Sequence, residues 1–281
     1  MSGVNKRKTL AEAVALIPDG ALLALGSDRA PVALVAELVR QSRKGLRLVG
    51  CGGSLPADLL LAAKCAADAE LPAPDRAGPG WTHAMAQGRA RAVKVADVRQ
   101  RLRAAAEKAA FAALPRDGST RAQTVEDPFG GAPVPVLPPL APDVALIHAE
   151  AADAAGNVLI RCDTRRAPLT DILLARATGR VIVSVEQIVS DVAVQARAED
   201  IALLPSEVDC VVEAPFGAHP DACPGRYDAD AALLEDYYVS IADAGDWIAM
   251  WISNPKDHAA YLDRLGSKRL LTLAAHCATA A

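Results

Sequence analysis

Between Asp143 and Asn157 the chain reads DVALIHAEAADAAGN, and the polar residues His148, Glu150 and Asp153 follow directly on the apolar run Val144 to Ile147. A second apolar run, Val181 to Val185, ends the same way in Glu186. An imidazole and carboxylates clustered at strand ends are equipment for proton transfer or for orienting a polar ligand. The competing role is structural: carboxylates after a strand cap helices and hold turns, and Glu186 has Arg180 and Arg226 as alternative partners. A second candidate is Gly50-Cys51-Gly52-Gly53-Ser54, set before a helix that begins near Leu55-Pro56. Glycines there let backbone N–H groups approach an anion, and Ser54 adds a hydroxyl. It is neither a Walker loop, since no G-K-[ST] follows, nor G-x-G-x-x-G, since Pro56 stands near the third glycine position. A merely tight turn is its other reading. The third candidate is the loop from Glu213 to Tyr227, EAPFGAHPDACPGRY, whose prolines fix a shape that carries His219, Arg226 and Tyr227 with little entropy loss. That loop serves equally well as a subunit contact. Cys51 sits beside a helix N-terminus but has no base adjacent in sequence, which argues against a nucleophilic thiol.

These residues need a parallel sheet to position them. Runs such as Val144 to Ile147 and Val181 to Val185 are short, aliphatic and suited to strands buried on both faces. In an open parallel sheet, ligands gather beyond the carboxyl ends of the strands. Thr9 and Glu12 form a capping box that opens a short helix, stopped by Pro18-Asp19-Gly20. Ala21 to Leu25 then predicts a strand, Pro31 the first turn of a helix with Val32, Val35, Leu38 and Val39 on one face, and Leu46 to Val49 a second strand. This is a β-α-β unit with a right-handed crossover. Leu71 to Gly80 is a connector, Arg91 to Val95 a short strand, and Val98 to Ala113 a helix with a charged outer face. Arg116 to Pro142 is read as one long irregular loop. Leu169 to Thr178 predicts a helix, Asp209 to Val212 a strand, and Asn254-Pro255 the start of a last helix with Tyr261, Leu262 and Leu265 on one face. The expectation is a single α/β domain over residues 1–281 with a proline-rich insertion at about 115–142.

Composition narrows the function classes. The chain has 281 residues, 52% of them hydrophobic, and a mean hydropathy of +0.17, so it can bury a large core. Its net charge of −4 and its pI near 5.8 give no electrostatic case for nucleic acid. The six cysteines (Cys51, Cys65, Cys162, Cys210, Cys223 and Cys277) include no C-x-x-C pair, and the five histidines form no H-E-x-x-H or H-x-x-x-H pair. No metal site is expected, and reduced thiols in a cytoplasmic protein fit the pattern. No apolar run approaches the ~18 residues of a membrane span, and no secretory h-region is evident.

Taken together, four segments resemble the α subunit of the class I coenzyme A-transferases, in the glutaconate CoA-transferase-like branch. They are IPDGALLALG with RAPVALVAELVRQ; GGSLPADLLL; DVALIHAEAADAAGNV with LARATGRVIVSVEQIV; and VVEAPFGAHPDACPGRYD. They occur in order from about Leu10 to about Leu265. The resemblance implies an open α/β fold with a mostly parallel sheet and helices on both faces, paired with a homologous β subunit in a heterodimer or α2β2. It implies acyl-CoA as the small-molecule substrate, with no metal, nucleic acid or membrane involved. The reactive glutamate of such enzymes comes from the β subunit, passing through an anhydride to a glutamyl-CoA thioester. The α subunit shapes the acyl pocket, and Gly52, Gly53 and Ser54 match the family's GGS turn, a source of donors to a developing oxyanion. His148, Glu150, Glu186, His219 and Arg226 complete the candidate substrate-binding set, with no catalytic residue assigned to this chain. The chain departs from relatives in having Gly26-Ser27-Asp28-Arg29 where a G-G-F-G stretch is common. Its middle region, RARAVKVADVRQ, offers only Asp97 as a carboxylate. These departures define the alternatives: a CoA-thioester or ring-cleaving hydrolase on the same fold, or a non-catalytic scaffold subunit.

Overall fold

The computed structural model describes residues 4–52, 54–115, 121–160, 169–240 and 244–279. Helix α1 (Leu10–Ala15) opens on the expected capping box, Thr9 N donating to Glu12 Oε2 at 2.8 Å and Glu12 N to Thr9 Oγ1 at 3.2 Å. There follow β1 (Leu22–Leu25), α2 (Val32–Arg40), β2 (Leu46–Val49), α3 (Ser54–Ala62), β3 (Ala66–Leu71), α4 (Pro79–Ala86), β4 (Ala90–Ala92) and α5 (Val95–Ala106). The middle of the chain holds β5 (Ala112–Ala113), β6 (Gln123–Val125), β7 (Val134–Leu137), β8 (Val144–Ala152), β9 (Val158–Leu159), α6 (Leu169–Ala177), β10 (Arg180–Ile188), α7 (Asp191–Gln195), β11 (Ile201–Leu203) and β12 (Cys210–Glu213). Four helices close it: α8 (Ala231–Val239), α9 (Gly245–Ile248), α10 (His258–Leu265) and α11 (Ser267–Thr279).

The main sheet runs β12-β10-β8-β1-β2-β3-β4 with every one of these neighbours parallel, and β9 and β11 add an antiparallel edge beside the end of β8. The chain winds outward from β1 in one direction and from β8 in the other, so the topological switch point lies between β1 and β8, where such sheets open a crevice. One face packs Leu23, Leu25, Leu48, Leu146 and Ile182 against α1, α2 and α3. The other packs Ala24, Val49 and Ala145 against Val98 and Leu102 of α5 and Leu174 of α6. Strands covered on both sides explain the unbroken aliphatic runs.

Four features differ from the expectation. β8 and β10 pair without interruption from Arg180↔Val144 to Ile188↔Ala152, so His148, Glu150 and Glu186 stand inside strands rather than after them. A continuous ladder satisfies the backbone past the point where the side chains turn polar. Helix α5 stops at Ala106, and Lys108 takes a positive φ of 56°. Beyond Leu102 its inner face offers only alanines, too small to hold a helix by burial, and Ala112–Ala113 instead pairs with β7. The stretch read as one irregular loop contributes to that small antiparallel sheet, β5-β7-β6. The helix expected at Asn254 begins at His258, because Asp257 is the residue whose carboxylate accepts from Ala260 N, at 2.8 Å.

Candidate active site

At the carboxyl side of β8 and β10, Glu186 is the hub. Its carboxylate accepts from Phe216 N at 2.7 Å, Gly217 N at 3.0 Å, the Tyr227 hydroxyl at 2.8 Å and His148 Nε2 at 2.8 Å. With Nε2–H donating to Glu186, His148 Nδ1 accepts from Ser184 Oγ at 2.9 Å. Tyr227 in turn accepts from Ala218 N at 2.9 Å and stacks on Phe216 with ring centroids 4.6 Å apart. Burial pushes Glu186 up, but the bonds from His148, Phe216 N and Tyr227 outweigh it and hold the carboxyl below its ordinary range. Thus β10 grips the proline-fixed loop through one carboxylate, and the ion pairs expected from Arg180 and Arg226 to Glu186 are replaced by this network. Arg180 Nη1 donates instead to Leu16 O at 2.5 Å. Arg226 Nη2 lies 3.7 Å from Glu150, a buried carboxylate that Arg197 Nη1 also approaches at 3.1 Å.

Cys223, on the same loop, brings its sulfur toward His148 and Glu186, the three ligand-capable atoms lying within 4.8 Å of one another. The set offers N, O and S donors, yet both Glu186 oxygens and both His148 nitrogens are engaged by protein groups. With those atoms bonded within the protein, the cluster fits a hydrogen-bonded hub rather than a metal, and burial, with Glu186 adding to it, pushes the Cys223 thiol up to about 12.

Across the switch point, the ends of β1 and β2 meet the start of α6. Asp171 accepts from Ser27 N at 2.7 Å, Ser27 Oγ at 3.3 Å and Asp28 N at 3.4 Å. It is fully buried, and burial first, then the Asp28 carboxylate, raise it to about 7. Asp28 is itself raised by burial, and its Oδ2 is enclosed without a hydrogen-bond partner among the described residues. Arg99 Nη2 donates to Thr170 Oγ1 at 3.2 Å. Beside these groups lies a cleft of about 350 Å³ lined by Ser27, Cys51, Gly52, Leu71, Trp81 and Val95. Gly52 is required there by contact, since a Cβ at that position would press into the Ser27 side chain and come within 2.9 Å of its Cα. Burial lifts the Cys51 thiol to about 11, which disarms it as a nucleophile.

The structure therefore brings His148 and Glu186 together, joins Glu150 to Arg226, and puts Gly52 on the cleft wall. Gly53 and the Ser54 side chain lie outside the described residues. His219 stands apart: its ring is buried, with Nδ1 2.6 Å from Tyr261 Oη and Nε2 3.2 Å from Asp230 Oδ2, facing the C-terminal helices. Burial pulls it down to about 4. Sequence reasoning does not single out Asp28, Arg29, Ser184 or Asp171. The signal for Asp28 and Arg29 is their place immediately after β1, the strand at the switch point. Asp171 and Ser184 carry no such signal, because their partners are remote in sequence.

Known proteins bear on this geometry. Glutaconate CoA-transferase of Acidaminococcus fermentans is similar in sequence and in structure. Its matching subunit is 35% identical over 153 residues, which is 53% of this chain and 47% of the relative, so the chain spans about half the length of that relative in the match. The crystal structure of that enzyme superposes with a TM-score of 0.86 at 26% identity, covering 95% of each chain. The matching subunit of the 3-oxoadipate CoA-transferase from Pseudomonas knackmussii is 30% identical over 90% of this chain and 95% of its own length. A crystallised variant of the decarboxylase AibA/AibB is 37% identical, with a TM-score of 0.77 over 88% of this chain and 98% of that one. The family model described as coenzyme A transferase matches residues 7–214, the stretch that carries the whole main sheet. The chain belongs to the coenzyme A transferase family.

Proposed function

We propose that this chain is the α subunit of a heteromeric CoA-transferase: it forms one wall of a cleft in which an acyl-CoA thioester exchanges its CoA with a carboxylic acid, and a homologous β subunit supplies the attacking glutamate. Coenzyme A enters as part of the substrate. The observation that carries the reading is the state of this chain's own candidate attackers. Among the described residues at the carboxyl edge, Glu186 is saturated by four donors and Glu150 is held by two arginines. Asp28 and Asp171 are held toward their protonated forms, and the thiols of Cys51 and Cys223 toward theirs. A nucleophile must be an available anion, and the engaged or protonated state of these groups supports a reactive carboxylate contributed by the sister subunit. What the chain offers is a backbone-lined recess at Gly52, and the GGS turn that Gly52, Gly53 and Ser54 match, suited to an oxyanion. Glu186, itself held by His148, anchors the Glu213–Tyr227 loop on the sheet, and Glu150 with Arg226 holds its far end.

A second reading, thioester chemistry without transfer, is favoured by the similarity to the decarboxylase AibA/AibB. Against hydrolysis through the middle region stands Asp97, its one carboxylate, which is 6% exposed in the first turn of α5. Mixing this chain with its sister subunit, then following CoA exchange between an acyl-CoA and an added acid, separates the readings. Product formation that depends on the acid supports transfer; formation in water alone, or release of CO2, supports the alternative.

A further inference from the structure

Arg29 follows β1 directly at the switch point and is 7% exposed. Among the described residues no carboxylate lies within 4.0 Å of its guanidinium, and its Nε is enclosed without a hydrogen-bond partner. Its neighbours do not neutralise it. Asp28 acts on it from beyond ion-pair range and keeps its own Oδ2 unpartnered. The Cys223 thiol, its hydrogen-bonding neighbour, is pushed up by burial and offers it no counter-charge. The turn that carries Arg29 is pinned, because Ser27 and Asp28 bind Asp171 and Ala33 N donates to Gly217 O at 2.8 Å. A charge taken out of water without a counter-ion is strongly disfavoured. A fold that holds such a cation rigidly between Asp28 and the Cys223 side of the Glu186 hub is prepared for an anion that arrives later.

We propose that Arg29 is a carboxylate receptor at the switch point, a planar fork that takes the carboxylate of a bound acid or acyl chain, or that of the sister subunit. The proposal rests on the preceding reading only for the identity of the anion.

The test uses R29M and R29K in the full chain, by itself and combined with the sister subunit. Melting temperature is measured without ligand, and binding of glutarate and butyrate is measured by calorimetry. The expected result is that R29M melts at the wild-type temperature or higher, since it removes an unpaired buried charge, and binds the acids at least about 10-fold more weakly. R29K retains part of the affinity. If the carboxylate belongs to the sister subunit, the acids bind wild type and R29M alike while R29M loosens the complex by a similar factor. R29M that melts several degrees lower or fails to fold would overturn the proposal, because the guanidinium would then be paired within the fold. R29M that matches wild type both in acid binding and in affinity for the sister chain would overturn it as well. Absence of CoA exchange in the same complex counts against the transferase reading alone, since binding and melting are scored without turnover.

Discussion

Replacing Glu186 by glutamine tests whether one carboxylate holds the proline-fixed loop on the sheet. The substitution preserves size and one oxygen. In the best rotamer the amide oxygen keeps His148, Gly217 N and Tyr227, and the NH2 group faces Phe216 N, a donor against a donor. Leaving that N–H unsatisfied costs about 1–3 kcal/mol, and each of the remaining bonds loses its charge assistance, about 0.5–1 kcal/mol apiece. The sum is about 2.5–6 kcal/mol, which lowers Tm by roughly 4–10 °C in a chain of this size. Urea titration of E186Q against wild type at a series of pH values reads the effect. The carboxyl is held below its ordinary range in the folded protein, so its contribution is complete above the unfolded value of about 4.3 and fades as pH falls through the folded value. The gap between E186Q and wild type should therefore be full at pH 7 and narrow in acid. A difference under about 1 kcal/mol at pH 7, or one that stays constant down to about pH 3, would refute the hub.

Asp171 carries the opposite linkage: its folded value near 7 lies above the unfolded one, so the stability it contributes is lost as pH rises from about 4 to 7. D171N should be relatively more stable at pH 8 than at pH 4, measured by denaturation at both. His219 is held near 4 by burial, so stability should decline as pH falls from about 6.5 toward 4, and H219Q should flatten that decline in a stability–pH profile. Gly52→Ala forces its new methyl into Ser27 and should reduce kcat/KM of the assembled enzyme at least about 10-fold while association of the two chains is unchanged. Tyr227→Phe strips one donor from Glu186 and one acceptor from Ala218 N, and should cost about 1–3 kcal/mol by the same urea assay.

Much of this was legible in the residues. Aliphatic runs bounded by Gly and Pro placed β1, β2, β8 and β10, and the Thr9–Glu12 pair placed α1, because those signals are local. The end of α5 was not legible, since alanine satisfies helical periodicity without providing the volume that holds a helix in place. The true length of β8 and β10 depends on their mutual pairing, which polar side chains at 148, 150 and 186 conceal. His148 and Glu186 are singled out by strand position alone, and the structure brings their side chains together. His219 was drawn to attention by its prolines, yet the loop they shape turns it toward Tyr261 and Asp230. Arg29 has its place after β1 as a local signal, but its missing contacts, and the contacts of Asp171, are made across the fold, which no local spacing encodes.

The central claim is that the attacking carboxylate belongs to the sister subunit. Incubating the assembled enzyme with acyl-CoA, trapping the covalent intermediate and weighing both intact chains tests it most directly. The account predicts a CoA adduct on the sister subunit, with an unmodified mass for this chain. An adduct on any residue of these 281 would contradict it.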